Sequence, residues 1–391
     1  MKLKRKKKIL LIRDAAQCLV LSSFITYLLS FAVINTEFFN PFVKIVQDFS
    51  YLDVYHSERM SENQFNPEVI IVNIEHRDRK EIAQLLEKVQ SGSPKVIGID
   101  ILFTSEKDST IDAQLSKELK ANNVVQGFIL REDSIIQNHS KFRNSNQGFV
   151  MFNFNPNERV IRNFNGYYEV DGIQYTSFAT QISMLAMGET EWNSLEYDEA
   201  LKGETPLSYQ GDMDSFLSFG YEEFLNTEDL SFIKNRIFLL GYLGDPTGNP
   251  YDIEDKHFTP LNKVVAGKSA PDMFGVVIHA NIISMLLKKD FMFRVSKVWE
   301  GIIALVLNYF LIMYFMYIDK KYKISSRTKR KITILVVSLL LIWLALLLFK
   351  VGIIFTVMPI IAFTFICAST IKYYKHLIRY LQTKLEFKSF V

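Results

Sequence analysis

Asp245, Asn249, Asp252, Glu254, Asp255 and His257 crowd into residues 245–257, directly after the apolar run 236–242, RIFLLGY. Oxygen-rich side chains in that position suit ligand binding, because open α/β sheets bind ligands beyond the carboxyl ends of their strands. A calcium reading lacks the one-three-five ligand spacing and central glycine of an EF-hand loop, and a solvated acidic loop built on Asx-type turns is the alternative. The candidate ligand contacts here are Asp245, Asp252, Asp255 and His257. Asp100, near the end of VIGIDILF (96–103), and His279, on GVVIHANIISMLL (275–287), join them. A structural role stays open for both: a hydrogen bond from Asp100 to a neighbouring loop, and a satisfied core histidine at 279.

Catalysis has less to build on. The sequence holds no Gly-x-Ser-x-Gly elbow, no His-Glu-x-x-His pair and no cysteine pair for zinc. Gly267-Lys268-Ser269 resembles the end of a phosphate-binding loop, but Asn262 stands where the first glycine belongs and no strand leads into it. Gly241, Gly244 and Gly248 miss the dinucleotide spacing. No catalytic residue, metal site or cofactor is expected, and the chain is not read as an enzyme.

The elements that must position these residues alternate. VIIVNI (69–74) is a buried strand by its β-branched run, and residues 78–89 carry Ile82, Leu85, Leu86 and Val89 at helical spacing. Ser93-Pro94 breaks the chain, 96–103 is a second buried strand, a helix follows over 112–121, and 124–130 (VVQGFIL) is a third strand. This β-α-β-α-β order predicts parallel strands joined by right-handed crossovers. Short strands are expected at 148–154 and 167–170, a helix at 177–187, another buried strand at 236–242 and a helix at 275–287.

The formal net charge of +3 hides a segregation. Residues 36–296 hold 24 Lys and Arg against 38 Asp and Glu, a net of −14, whereas the rest of the chain holds 21 against 4, a net of +17. An acidic domain outside a membrane and basic anchors inside would produce that split. Residues 15–34 carry no charge and are long enough to span, with a basic start, 1–14, before them. A cleaved signal peptide ending at Ser30-Phe31-Ala32 is the alternative. Further spans are expected at 298–318, 332–349 and 351–371, with a basic loop, 319–331, after the first. All basic flanks agree on four helices with both termini cytoplasmic and residues 35–297 exported. Asn308, near mid-membrane, is expected to form an interhelical hydrogen bond. In the tail, 372–391, Tyr374, Leu377, Ile378, Leu381 and Leu385 share a helical face among basic residues. That face reads as a helix on anionic lipid, or as a dock for a partner. The acidic exterior disfavours nucleic acid.

At this point the residues resemble a family. VIGIDILF with Asp100 near its end, Asp112 with Leu115 in the next helix, NRIFLLGYLGDP (235–246), Thr259-Pro260, and GVVIHANIISMLL with Gly275, His279 and Ala280 are similar to the CHASE domain of type two. The resemblance covers about residues 40–290. It implies an extracellular sensor of bacterial membrane receptors, hence an integral protein of the inner membrane with its large domain periplasmic or extracellular. The family often has a Trp-Pro and Arg segment after the first strand; here Glu75-His76-Arg77-Asp78-Arg79 runs directly into a helix. Relatives usually carry a cytoplasmic output domain, whereas 1–14, 319–331 and 372–391 are too short to form one. The expected fold is therefore an α/β extracytoplasmic sensor domain, mainly a parallel sheet with flanking helices, plus four transmembrane helices. The expected function is ligand sensing, with output from a separate cytoplasmic or membrane protein; homo-oligomers are compatible with it. The alternative is a structural or assembly component of a cell-envelope complex, with the exported domain as a protein-binding surface.

Overall fold

The computed structural model describes residues 2–35, 65–131, 133–152, 159–195, 197–246, 248–249, 252–262, 270–322, 325–385 and 387–391. Residues 36–64 of the expected exported segment, and Gly267-Lys268-Ser269, lie outside them. The chain forms two compact units, residues 46–292 and residues 1–45 together with 293–391.

Helix α1 (Lys2–Asn35) opens the chain. The larger unit then runs β1 (Asn66–Asn73), α2 (Arg79–Ser91), β2 (Val96–Ile99), α3 (Ser109–Leu119), β3 (Val124–Arg131), β4 (Ser134–Ile136), β5 (Gln147–Phe149), β6 (Asn163–Asn165), β7 (Tyr167–Val170), β8 (Ile173–Thr176), α4 (Phe178–Met187), α5 (Glu189–Ser194), α6 (Tyr197–Ala200), β9 (Glu204–Pro206), β10 (Phe216–Phe219), α7 (Tyr221–Asn226), β11 (Ile237–Gly241), β12 (Lys256–His257), β13 (Met273–Phe274) and α8 (Gly275–Lys288). The main sheet has the order β10-β1-β11-β2-β3, parallel throughout. Strand β3 also pairs with β5 in parallel and with β4 antiparallel. The predicted parallel strands with intervening helices are present, but β11 sits between β1 and β2, with Ile70 opposite Phe238 and Phe238 opposite Ile97.

Both sheet faces are covered, which explains why the strands read as unbroken apolar runs. Val69, Ile71, Val96 and Leu239 face a core shared with α4 and α8. Their neighbours Ile70, Val72, Ile97 and Leu240 face a second core with α2, α3 and α7. In α2, the spacing of Ile82, Leu85, Leu86 and Val89 puts all four inward, and burying each leucine is worth about 1.5–3 kcal/mol. The helix begins where Asp78 accepts a hydrogen bond from the Glu81 amide at 2.9 Å while the Glu81 carboxylate accepts one from the Asp78 amide at 2.8 Å. Asp78→Ala should lower the stability of this unit by about 1 kcal/mol, read as a shift of the urea midpoint; an unchanged midpoint would assign the helix start to packing alone.

Two strand expectations are shortened. The run 96–103 is extended only to Ile99: Asp100 leaves the ladder after one last bond, its amide donating to the Leu240 carbonyl at 2.9 Å. The strand expected at 148–154 spans Gln147–Phe149, and its end beyond Phe152 lies outside the described residues.

The second unit consists of α1, β14 (Phe293–Arg294), α9 (Lys297–Lys321), α10 (Ser326–Lys350), β15 (Ile353–Ile354) and α11 (Met358–Leu385). Three helical segments, Lys6–Phe31, Lys297–Lys321 and Ser326–Lys350, are long and apolar enough to cross a membrane by length and composition. The fourth expected span, 351–371, is not one helix. Ile353 and Ile354 pair with Phe293 and Arg294 instead, and the helix starts only at Met358. From Met358 to the last apolar residue before Lys372, its uncharged part is about 21 Å long, short of a hydrocarbon core. Asn308 also departs from expectation. It is fully buried, but its amide donates to Ala304 of its own helix at 2.9 Å and its Oδ1 has no partner.

Helix α11 continues into the tail without interruption. Tyr374 and Ile378 are buried in the helical core, and the Tyr374 hydroxyl donates to Gln17 Oε1 at 2.9 Å. Leu381 is partly buried beside them, while Leu377 and Leu385 are exposed. Much of the tail's apolar face therefore packs within the unit itself.

Candidate functional site

Chain direction determines where a crevice opens. After β1 and β2 the backbone turns to α2 and α3 on one face of the sheet, whereas after β11, which lies between them, it leads to α8 on the other. Connections that diverge to opposite faces leave a gap beyond the strand ends, the usual ligand position in such sheets. Asn73, at the end of β1, braces one wall: its Nδ2 donates to the Gly244 carbonyl at 2.7 Å, and its Oδ1 accepts from the amides of Glu75 and Leu243, both at 2.9 Å.

Asp100 lies at this gap, directly after β2. Its side chain is half-buried, and among the described residues none donates a hydrogen bond to its carboxylate. Burial, reinforced by the negative charge of Asp255, pushes its pKa from the ordinary carboxylate range to about 7. Asp255 reaches the same place from the loop after β11, with its backbone left-handed at φ 51°. Its carbonyl accepts from the Gly275 amide at 2.9 Å. Its carboxylate lies against Gly275 so closely that a Cβ there would stand 2.9 Å from Oδ2, so a side chain at 275 would push the Asp255 carboxylate away from the first turn of α8. Gly241 has the same role one layer deeper: a Cβ would meet Val276 at 2.9 Å.

His257 Nε2 is 3.8 Å from Asp255 Oδ1. Its ring lies 5.4 Å from Phe152, which in turn lies 4.5 Å from the ring of His279. His279 is enclosed between Phe152 and Phe178, and burial, with the nearby His257, lowers its pKa to about 3, so it is neutral in the physiological range. Its Nδ1 is sealed from solvent without a hydrogen-bond partner, which departs from the satisfied core histidine that was one expectation.

Four of the six residues singled out in the sequence thus form one chain of neighbours: Asp100, Asp255, His257 and His279. The other two do different work. Asp252 accepts from the Tyr242 hydroxyl at 2.7 Å and from the amides of Asp245 and Glu254, bonds that hold its carboxyl below the usual range, while burial, and then the bond to Asp252, raises the Tyr242 hydroxyl above its own. It shapes the loop, and Asp245 contributes an amide to that turn. Among the described residues no three His, Cys, Asp or Glu side chains converge to hold a metal ion. Phe152 and Asn73 were not legible as site residues, and Gly275 stood out only through the family resemblance; nothing local distinguishes an aromatic that lines a site from one in a core.

The family model of the CHASE2 domain matches residues 29–314, most of the chain. The chain belongs to the CHASE2 family. Its CHASE2 domain is of an extracellular sensor type, and three of the residues that suggested the family occupy this site: Asp100 directly after β2, and Gly275 and His279 on α8. No curated protein and no solved structure matches the chain. The CHASE2 match takes in the last residues of α1 and much of α9 as well as the whole described sheet.

Proposed function

We propose that this chain is a membrane-anchored receptor whose CHASE2 domain binds a small extracytoplasmic ligand at the Asp100–Asp255 crevice and relays occupancy to a separate output protein. The observation that carries the reading is the half-buried Asp100 carboxylate, to which no described residue donates a hydrogen bond. Protein carboxylates that are structural are usually hydrogen-bonded, and one left unsatisfied at a strand-end crevice suits a ligand that brings the donors, such as an amine or clustered hydroxyls. Among the described residues no nucleophile and base are paired there, and binding without chemical conversion is the reading proposed.

The reading includes four crossings of the inner membrane with both termini cytoplasmic, the fourth made by α11, whose short uncharged part is lengthened by the apolar stems of Lys372 and Lys375. It is supported by the helical unit, in which the basic ends meet: Asp14 accepts from Ser389 and the Phe390 amide, and Asp319 pairs with Lys375 at 2.7 Å and Arg330 at 3.6 Å. At the opposite ends, β14 pairs with β15. Helices α1 and α9 flank the domain in sequence and pack against each other, so they are the natural relay.

Thermal unfolding of the full-length protein in detergent, screened at pH 8 against amine and polyol compounds, tests the binding reading. A ligand present at a hundred times its Kd should add about 2.7 kcal/mol of stability, and Asp100→Asn should abolish the gain. A stabilising compound that acts equally on the Asp100→Asn protein would refute this site. For the relay, cysteines placed across α1 and α9 in a background with Cys18 and Cys367 replaced should cross-link at different positions with and without that ligand; identical patterns would remove the helices from the pathway.

A further inference from the structure

The helical unit contains a groove of about 790 Å³ between α10 and α11, within the roughly 300–1,000 Å³ typical of ligand sites. Its chemistry is graded along the helix axis. Positions 327, 331, 334, 338 and 342 of α10 recur at three- and four-residue spacing and form one stripe, and 358, 361, 365, 368 and 372 of α11 form the facing one. One end is basic, with Arg327, Arg330, Lys331 and Lys372; the remainder is largely apolar. From Arg327 to Ile342 the stripe is about 22 Å long.

Two features of the groove have no partner in the protein. Asp319 engages Arg330 and Lys375, whereas among the described residues no carboxylate pairs with Arg327, Lys331 or Lys372. Two turns further along the stripe from Lys331, the Ser338 hydroxyl is shielded from solvent without a hydrogen bond. Nearby hydroxyls behave differently: Thr333, Thr364, Ser369 and Thr370 each donate to the carbonyl four residues earlier, at 2.8–2.9 Å.

We propose that this groove binds one anionic phospholipid, its phosphate held by Arg327, Lys331 and Lys372, its acyl ester accepting from Ser338, and its chain lying along Ile334, Ile342 and Phe365. Charge complementarity selects the occupant. Three unneutralised cations at the mouth of an apolar groove match a negative headgroup joined to a hydrocarbon chain, and neither a free anion nor an apolar helix satisfies both ends. The inference concerns the helical unit alone and is independent of the ligand reading for the CHASE2 domain.

Native mass spectrometry of the delipidated full-length protein, titrated with phosphatidylglycerol and with phosphatidylcholine of the same acyl chains, tests it. Phosphatidylglycerol is expected to load at a concentration at least about fivefold lower. Two variants probe the two ends: the triple replacement Arg327→Gln, Lys331→Gln, Lys372→Gln removes the charge, and Ala368→Trp fills the groove while leaving every cation, and hence every topology signal, in place. Both should bring phosphatidylglycerol to the phosphatidylcholine level, with size-exclusion profiles unchanged. Equal loading of the two lipids by the original protein, or loss of the preference in only one variant, overturns the proposal. Complete displacement of the lipid by millimolar inorganic phosphate also overturns it, since the acyl chain would then contribute nothing.

Discussion

Replacing Arg79 with methionine is expected to destabilise the CHASE2 domain by about 3–5 kcal/mol. Asp112 has no solvent exposure; its Oδ1 accepts from Arg79 Nη1 at 2.8 Å and its Oδ2 from the Lys107 amide at 2.7 Å. Burial pushes this carboxyl upward, but the bonds from Lys107 and Arg79 outweigh it and hold its pKa below the ordinary value. The stability it contributes is therefore present above the unfolded-state pKa of about 3.9 and is lost as pH falls through the lower folded value. Without Arg79 the burial that disfavours the carboxylate is opposed by less, chiefly the Lys107 amide, so the penalty for the ionised form grows as pH increases. The Arg79→Met deficit should be larger at pH 8 than at pH 4.5. Urea unfolding of the full-length protein measures it, with Trp299 and Trp343 replaced by Phe so that buried Trp192 reports on this domain. A deficit below about 1 kcal/mol, the range of exposed ion pairs, at both pH values would mean that water replaces the guanidinium.

Asp100→Asn should have the opposite sign. Asp100 carries a raised pKa, so the folded state binds an extra proton between the ordinary carboxylate value and about 7. Its favourable contribution is complete below the unfolded pKa and disappears as pH rises through about 7, where the ionised form is held beside Asp255. The displacement sets a ceiling of about 4 kcal/mol, and access of water from the open side reduces the expected gain for Asn to about 2 kcal/mol at pH 8. The variant should be more stable than the original protein above pH 7 and nearly equal to it at pH 4, while losing ligand response. Stabilisation combined with loss of function is the signature of a site residue; destabilisation at every pH would assign Asp100 to structure instead.

Most of the sheet was readable because its signals are local. Val69, Ile71 and their neighbours carry the β-branched run of a strand covered on both faces, and Asp78, Glu81 and Ile82 together mark a helix start. The fourth span starts later than expected for the same reason. Hydropathy counts apolar residues but does not distinguish the short strand of Ile353 and Ile354 from a helical turn, since that strand exists only through its pairing with Phe293 and Arg294. Asn308 shows a further limit, because whether its amide reaches a neighbour or returns to Ala304 depends on how helices are placed.

For the site, the residue types were legible and their company was not. Composition and charge segregation separated an acidic domain from basic anchors, and strand-end position marked Asp100 and the acids after β11. What only the tertiary structure decided is that β11 inserts between β1 and β2, bringing Asp255 to Asp100 from a distant part of the chain and setting Asp252 aside for Tyr242. Sequence order carries periodicity and hydropathy, which act over a few residues. Sheet order is set by packing over the whole core, and it alone determines which carboxylates must share a crevice.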